Sequence, residues 1–121
     1  MTIYLAHSTK YDFQTELYEP IRQSSAYKAN TIIFPHESTP VDSKQTIIDC
    51  DLVIAEVSYL STGLGIELGW ADSLKKPIIC IHKTDYPPSR ALRFICDQFF
   101  SYADATDLTK LLDRLIPQQE G

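Results

Sequence analysis

The chain has 121 residues, 44% hydrophobic and 22% charged, with a net charge of −5. At this length one ordinary domain, residues 1–121, buries roughly 65% of the surface its unfolded form exposes. Lys and Arg are scattered rather than striped, which argues against a protein that tracks a nucleic-acid backbone. The apolar runs are too short to span a membrane.

Five apolar runs read as strands: Ile3 to Ala6, Thr31 to Phe34, Leu52 to Ala55, Pro77 to His82, and a weaker one from Phe99 to Tyr102. Helical patterns lie between them. Phe13, Leu17, Tyr18 and Ile21 recur at helical spacing, with Pro20 set to bend that helix. Asp42 to Asp49 predicts a short helix, Gly63 to Lys75 a third that stops before Pro77, Ser89 to Cys96 a fourth and Ala105 to Ile116 a fifth. Strict alternation of strand and helix predicts a three-layer α/β domain, a Rossmann-like or flavodoxin-like fold. Its five-stranded parallel sheet in the order 2-1-3-4-5 would carry helices on both faces. A ligand crevice then lies at the carboxyl ends of strands 1 and 3, gathering His7 to Lys10, the loop after Phe34, and Tyr59 to Glu67.

The start MTIYLAHS lacks the basic opening and apolar core of a signal peptide, so a cytoplasmic location is expected. Cys50, Cys80 and Cys96 are odd in number and lack a CxxC pair, which favours reduced packing residues over a disulfide or a zinc site.

The stretch DLVIAEVSYLSTGLGIELGW, Asp51 to Trp70, carries the most chemistry. It runs from a buried strand through Ser61, Thr62, Gly63 and Gly65 into a helix, where bare N–H groups can meet an anion. It then delivers Glu67 about one turn inside. A carboxylate there is either a solvated partner of the helix dipole or a chemical group. Ser61 and Thr62 are either N-caps or phosphate contacts. His36 follows strand 2 in a loop aimed at the crevice, where it could contact a base. Asp51 reads as a cap or turn residue, and Glu56 either faces the crevice or braces the loop. His82 reads as packing, and Trp70 as core or dimer surface. The chain has no GxxxxGK[ST], no GxGxxG after strand 1 and no acidic pair at the end of strand 1. That sets aside a P-loop NTPase, the usual dinucleotide fingerprint and a phosphoacceptor receiver.

IYLAHS, CDLVIAEVSYLSTGLGIELGWA and KKPIICI together resemble the nucleoside 2-deoxyribosyltransferase superfamily, most nearly its Rcl-like branch of 2'-deoxynucleoside 5'-monophosphate N-glycosidases. The resemblance implies that Glu67 is the nucleophile that attacks the anomeric carbon and that Tyr4 orients it. It places Ser61, Ser8 and Lys10 on the 5'-phosphate. Ser89 aligns, across a short gap, with a serine donated to the phosphate across a homodimer interface. The family's second acid aligns with Ser43, and Asp42 beside it is the acid available to assist the leaving base. His7 stands where the family has a glycine, and Thr9 leaves the choice of ribose or deoxyribose open. The resemblance implies no metal and no organic cofactor.

The chemistry is consistent with that list. Breaking an N-glycosidic bond builds positive charge on the sugar, which a carboxylate beneath the ring stabilises and captures. The expected activity is base release from a nucleoside 5'-monophosphate, by hydrolysis or by transfer, with a nucleotide or nucleoside as the small-molecule partner. Two rivals stand beside it: a nucleotide-binding module without turnover, and a glycohydrolase of a larger nucleotide such as NAD.

Overall fold

β1 (Thr2–His7), β2 (Thr31–Ile33), β3 (Leu52–Glu56), β4 (Ile78–Lys83) and β5 (Phe99–Tyr102) pair in parallel in the order 2-1-3-4-5. The computed structural model describes residues 1–37 and 40–116. All five strands and their order agree with the sequence reading, with edges displaced by a residue or two. β3, for example, runs on to Glu56 and β4 to Lys83.

Side chains alternate across a strand, and this sheet divides its apolar residues accordingly. Ile3, Leu5, Ile54, Ile79 and Ile81 face one layer of helices, whereas Tyr4, Ala6, Val53, Ala55 and Cys80 face the other. Both faces are covered, so β3 is apolar at every position except its last residue, Glu56. The first layer contains α1 (Glu19–Arg22), α2 (Ser25–Ala29) and α5 (Ala105–Leu115). In α5, Leu108, Leu111 and Leu112 form the buried stripe. The second layer is α3 (Ser43–Asp49) and α4 (Thr62–Ser73), which bury Ile47, Leu64, Leu68 and Ala71.

Two helices differ from their sequence patterns. The first is broken: a π-helical turn, Gln14–Tyr18, leads into α1, and α2 follows as a separate helix. Pro20 is the cause, because in a regular helix its ring would strike the carbonyl of Glu16. The widened turn, closed by Glu19 N–H on the Gln14 carbonyl, removes that clash. Ser24 then starts α2, its Oγ accepting from Tyr27 N–H at 3.1 Å. The second is the predicted helix from Ser89, which is a short 3-10 segment, Arg90–Phe94, behind the Pro87 and Pro88 pair. α4 ends on Lys75 at φ 57, with Lys76 N–H on the Ala71 carbonyl and Lys75 N–H on that of Asp72.

Cys50, Cys80 and Cys96 are buried free thiols. Asp51 accepts from Thr2 N–H at 2.8 Å and ties β3 to the start of β1. Among the described residues no helix is long and apolar enough to cross a membrane.

Candidate active site

A cavity of about 390 Å³ opens over the carboxyl ends of β1 and β3, against the second helical layer. α4 forms its longest wall. Ser61, Gly63, Leu64, Ile66, Glu67 and Trp70 line it from that side, facing His7, Thr9, His36 and Ser43. Ser61 is the N-cap of α4, its Oγ 3.3 Å from Leu64 N–H, so the positive end of the helix opens on the cavity. A Cβ at Gly63 would meet nothing within 4 Å; the fold does not need glycine there, and its absent side chain leaves cavity space free.

Glu67 is held from the sheet. Because Tyr4 alternates toward the α3 and α4 layer, its buried phenol lies behind the cavity wall and donates a hydrogen bond to the Glu67 carboxylate, 63 residues away in sequence. The same oxygen lies 3.1 Å from Ser43 Oγ. Tyr4 has one proton and a carboxylate accepts only, so Ser43 is left to donate to the phenol oxygen. Burial first, then the Glu67 carboxylate, pushes the Tyr4 phenol far above its ordinary range, so it remains a donor. Glu67 itself is half-buried and open to the cavity.

The opposite wall is aromatic. His7 is 4% exposed and both of its ring nitrogens are engaged. Nδ1 lies 2.8 Å from the Ser8 carbonyl, so it is the protonated nitrogen, and Nε2 accepts from the Tyr18 hydroxyl at 2.6 Å. The Tyr18 oxygen in turn accepts from His36 N–H at 3.1 Å. Burial, the largest influence, lowers the His7 pKa to about 4, so the ring is neutral. His7 therefore presents a ring surface to the cavity, and its polar atoms organise the loops behind. The His36 ring packs edge-on against it, centroids 5.3 Å apart.

Several expected residues stand elsewhere. Asp42 caps α3, its Oδ1 accepting from Gln45 N–H at 3.1 Å; Ser43 reaches the cavity instead. Ser8 is buried, and its Oγ accepts from Lys10 N–H at 3.2 Å, an internal tie of the β1 loop. The exposed Lys10 and Gly65 do not line the cavity, and nothing in the packing explains glycine at position 65. Ser89 caps the 3-10 segment, outside the cavity of its own chain. Trp70, read as core or dimer surface, does pack partly buried against the core of the second layer, and it also lines the cavity, with the Lys44 ammonium 5.7 Å from its ring centre. Its spacing of three from Glu67 puts both on one face of α4, a signal already present in the sequence. Glu56 is 1% exposed and braces the loop after β3: it accepts from Ser58 N–H at 2.6 Å, from Ser58 Oγ at 2.9 Å and from the Tyr102 hydroxyl.

No family model matches the chain, and no curated protein matches it in sequence. Among solved structures, the CMP N-glycosidase BcmB of Clostridium botulinum has a TM-score of 0.71 at 22% identity, over 95% of this chain and 99% of its own. What the two share is the fold. A 2-deoxyribosyltransferase from Leishmania mexicana follows at TM-score 0.54 and 22% identity, over 68% of this chain and 64% of its own. A conserved protein from Enterococcus faecalis V583 has a TM-score of 0.58 at 15% identity, over 95% of this chain and 98% of its own.

Proposed function

We propose that this chain is a member of the nucleoside 2-deoxyribosyltransferase superfamily that releases the base from a nucleoside 5'-monophosphate. The observation that carries this reading is the carboxylate of Glu67, open to a nucleotide-sized cavity and gripped by Tyr4 from across the sheet. A structural acid would have no need of both. Ser61 and the free N–H groups of α4 receive the phosphate, and Lys10, which stands outside the cavity, would have to turn inward from the β1 loop to join them. This fixes the sugar over Glu67, and such positioning lowers the barrier by several kcal/mol.

In the first step a Glu67 oxygen bonds to the anomeric carbon as the glycosidic C–N bond breaks, and the base takes a proton from water. In the second, water attacks the same carbon and gives up a proton to the hydroxide left by the first step, the Glu67–carbon bond breaks with its electron pair returning to the carboxylate, and the sugar phosphate leaves. Tyr4 orients the carboxylate for attack, and its hydrogen bond favours the anion that departs in the second step. Asp42 serves as the family's second acid only by leaving its cap on α3; Ser43 already sits beside Tyr4. A second copy of the chain would bring Ser89 toward the phosphate, which light scattering and a Ser89→Ala variant test together.

The fold shared with a CMP N-glycosidase over nearly the whole chain supports this reading. The cavity volume lies at the low end for small-molecule sites, which favours a mononucleotide over a dinucleotide such as NAD. The test is a panel of ribo- and deoxynucleoside 5'-monophosphates and free nucleosides, assayed for released base. Wild type is expected to release base from at least one monophosphate, and Glu67→Gln to lower that rate by about a thousandfold or more. Turnover by Glu67→Gln near the wild-type rate would remove the mechanism. Because Asp42 is turned to its cap, a second reading is a nucleotide-binding module. Calorimetric affinity for a monophosphate with no base released across the panel would establish it.

A further inference from the structure

A second polar cluster adjoins the cavity without lining it, and it is built around Lys83 at the end of β4. The Lys83 ammonium is ringed by three tyrosines, with Tyr11, Tyr59 and Tyr86 centred 5.4, 5.0 and 5.2 Å away. It donates to the Tyr59 hydroxyl at 2.9 Å and forms an ion pair with Glu16. Burial works against its charge, but the bonds to Glu16 and Tyr59 outweigh it and leave the lysine above its ordinary range.

These partners come from different loops. Tyr59 lies in the loop after β3 that ends at Ser61, and Tyr11 in the loop after β1 that contains Ser8 and Lys10. The two rings stack with centroids 4.4 Å apart and planes inclined by 22°. Lys83 caps this stack through cation–π contact. It anchors one side to the first helical layer through Glu16, in the turn before α1. Its main-chain N–H separately donates to Ser58 Oγ at 2.7 Å. That bond does not depend on the side chain.

We infer that Lys83 is a positioning residue, a latch that sets the spacing between the β1 loop and the β3 loop and so the preference for a 5'-monophosphate. This rests on the phosphate placement proposed above. Without the ammonium the Tyr11–Tyr59 stack loses its tie to Glu16, and the β1 loop is held to the β3 loop by ring stacking alone, while Ser58 still anchors the β3 loop to β4. The sugar and base end, held by Glu67 and Tyr4, is left in place.

The experiment compares wild type, Lys83→Met, Lys83→Arg and Glu16→Gln on the ribo- and deoxynucleoside 5'-monophosphates of each base against the matching nucleosides. Lys83→Met is expected to lower the ratio of kcat/KM for monophosphate over nucleoside about tenfold or more, chiefly through KM. Lys83→Arg should restore most of that ratio. Glu16→Gln, at a half-exposed position that does not threaten folding, should shift it in the same direction by less. A ratio unchanged in Lys83→Met, even with a lower melting temperature, overturns the latch while leaving the glycosidase reading intact. If wild type binds these ligands without turnover, the same ratio is taken from dissociation constants, and the same outcomes decide. If wild type binds none of them, the phosphate site and the latch fall together.

Discussion

At the scale of single residues, the site depends on an acid and a phenol that meet from distant positions in the chain. Glu67 was legible in the sequence because a carboxylate one turn beyond a glycine loop, in a chain with a strand just before it, falls at the mouth of the sheet. The role proposed for Tyr4 came only from resemblance, since nothing in the apolar run along β1 distinguishes a core tyrosine from one whose hydroxyl meets a carboxylate. Removing that hydroxyl tests the link. Tyr4→Phe keeps the ring packed among Val53, Ala55 and Leu68 but deletes a hydrogen bond to a charged group, a contribution of about 1.5 to 3 kcal/mol. Base release is expected to slow about 10- to 150-fold, with KM little changed, measured by steady-state kinetics on the best monophosphate of the panel. His7, in the place of the family's glycine, lines the cavity with its ring, and a ring this enclosed satisfies its polar atoms internally.

At the scale of elements, the helices that matter are those whose ends are chemically marked. α4 was readable at both limits, from Ser61 and the glycines at its start to Pro77 beyond its end, and the structure matches to within two residues. Its last turn also carries a cost. Lys75 is held in the left-handed region at φ 57, where a side chain is unfavourable by about 1 to 2 kcal/mol and glycine is at ease. Lys75→Gly is expected to stabilise the protein by about 1 kcal/mol, the strain relief being partly offset by glycine's greater freedom when unfolded. A urea titration measures this, and an equal or lower midpoint would show that the lysine is unstrained. The first helix was less legible, because periodicity reports which residues face the core but not whether a proline widens or ends the turn that presents them.

At the scale of the whole molecule, the buried neutral His7 ties folding to pH. Its folded pKa of about 4 lies below the ordinary value of 6.5, so between those values the unfolded chain holds a proton that the native state lacks. Stability therefore falls as pH drops from 6.5 to about 4, by roughly 3 kcal/mol across the window, and is flat above it for this group. Glu56, raised chiefly by burial, acts in the opposite sense where it titrates. Comparing urea midpoints of wild type and His7→Gln from pH 7 to pH 4 isolates the histidine: the variant should start less stable and lose less on acidification. Parallel curves would place the acid sensitivity elsewhere. The sequence by itself determined the strands and the helix that carries Glu67, because each is written in local periodicity and punctuation, and it implied the sheet order through the right-handed crossovers that strand and helix alternation requires. Only the tertiary structure decided that Ser43 bonds the Tyr4 phenol that holds Glu67, that Asp42 turns to a cap, that Trp70 joins the cavity wall and that Lys83 binds two loops together. Those outcomes depend on which side chains from distant segments arrive at one place, and on which polar atoms burial leaves needing a partner.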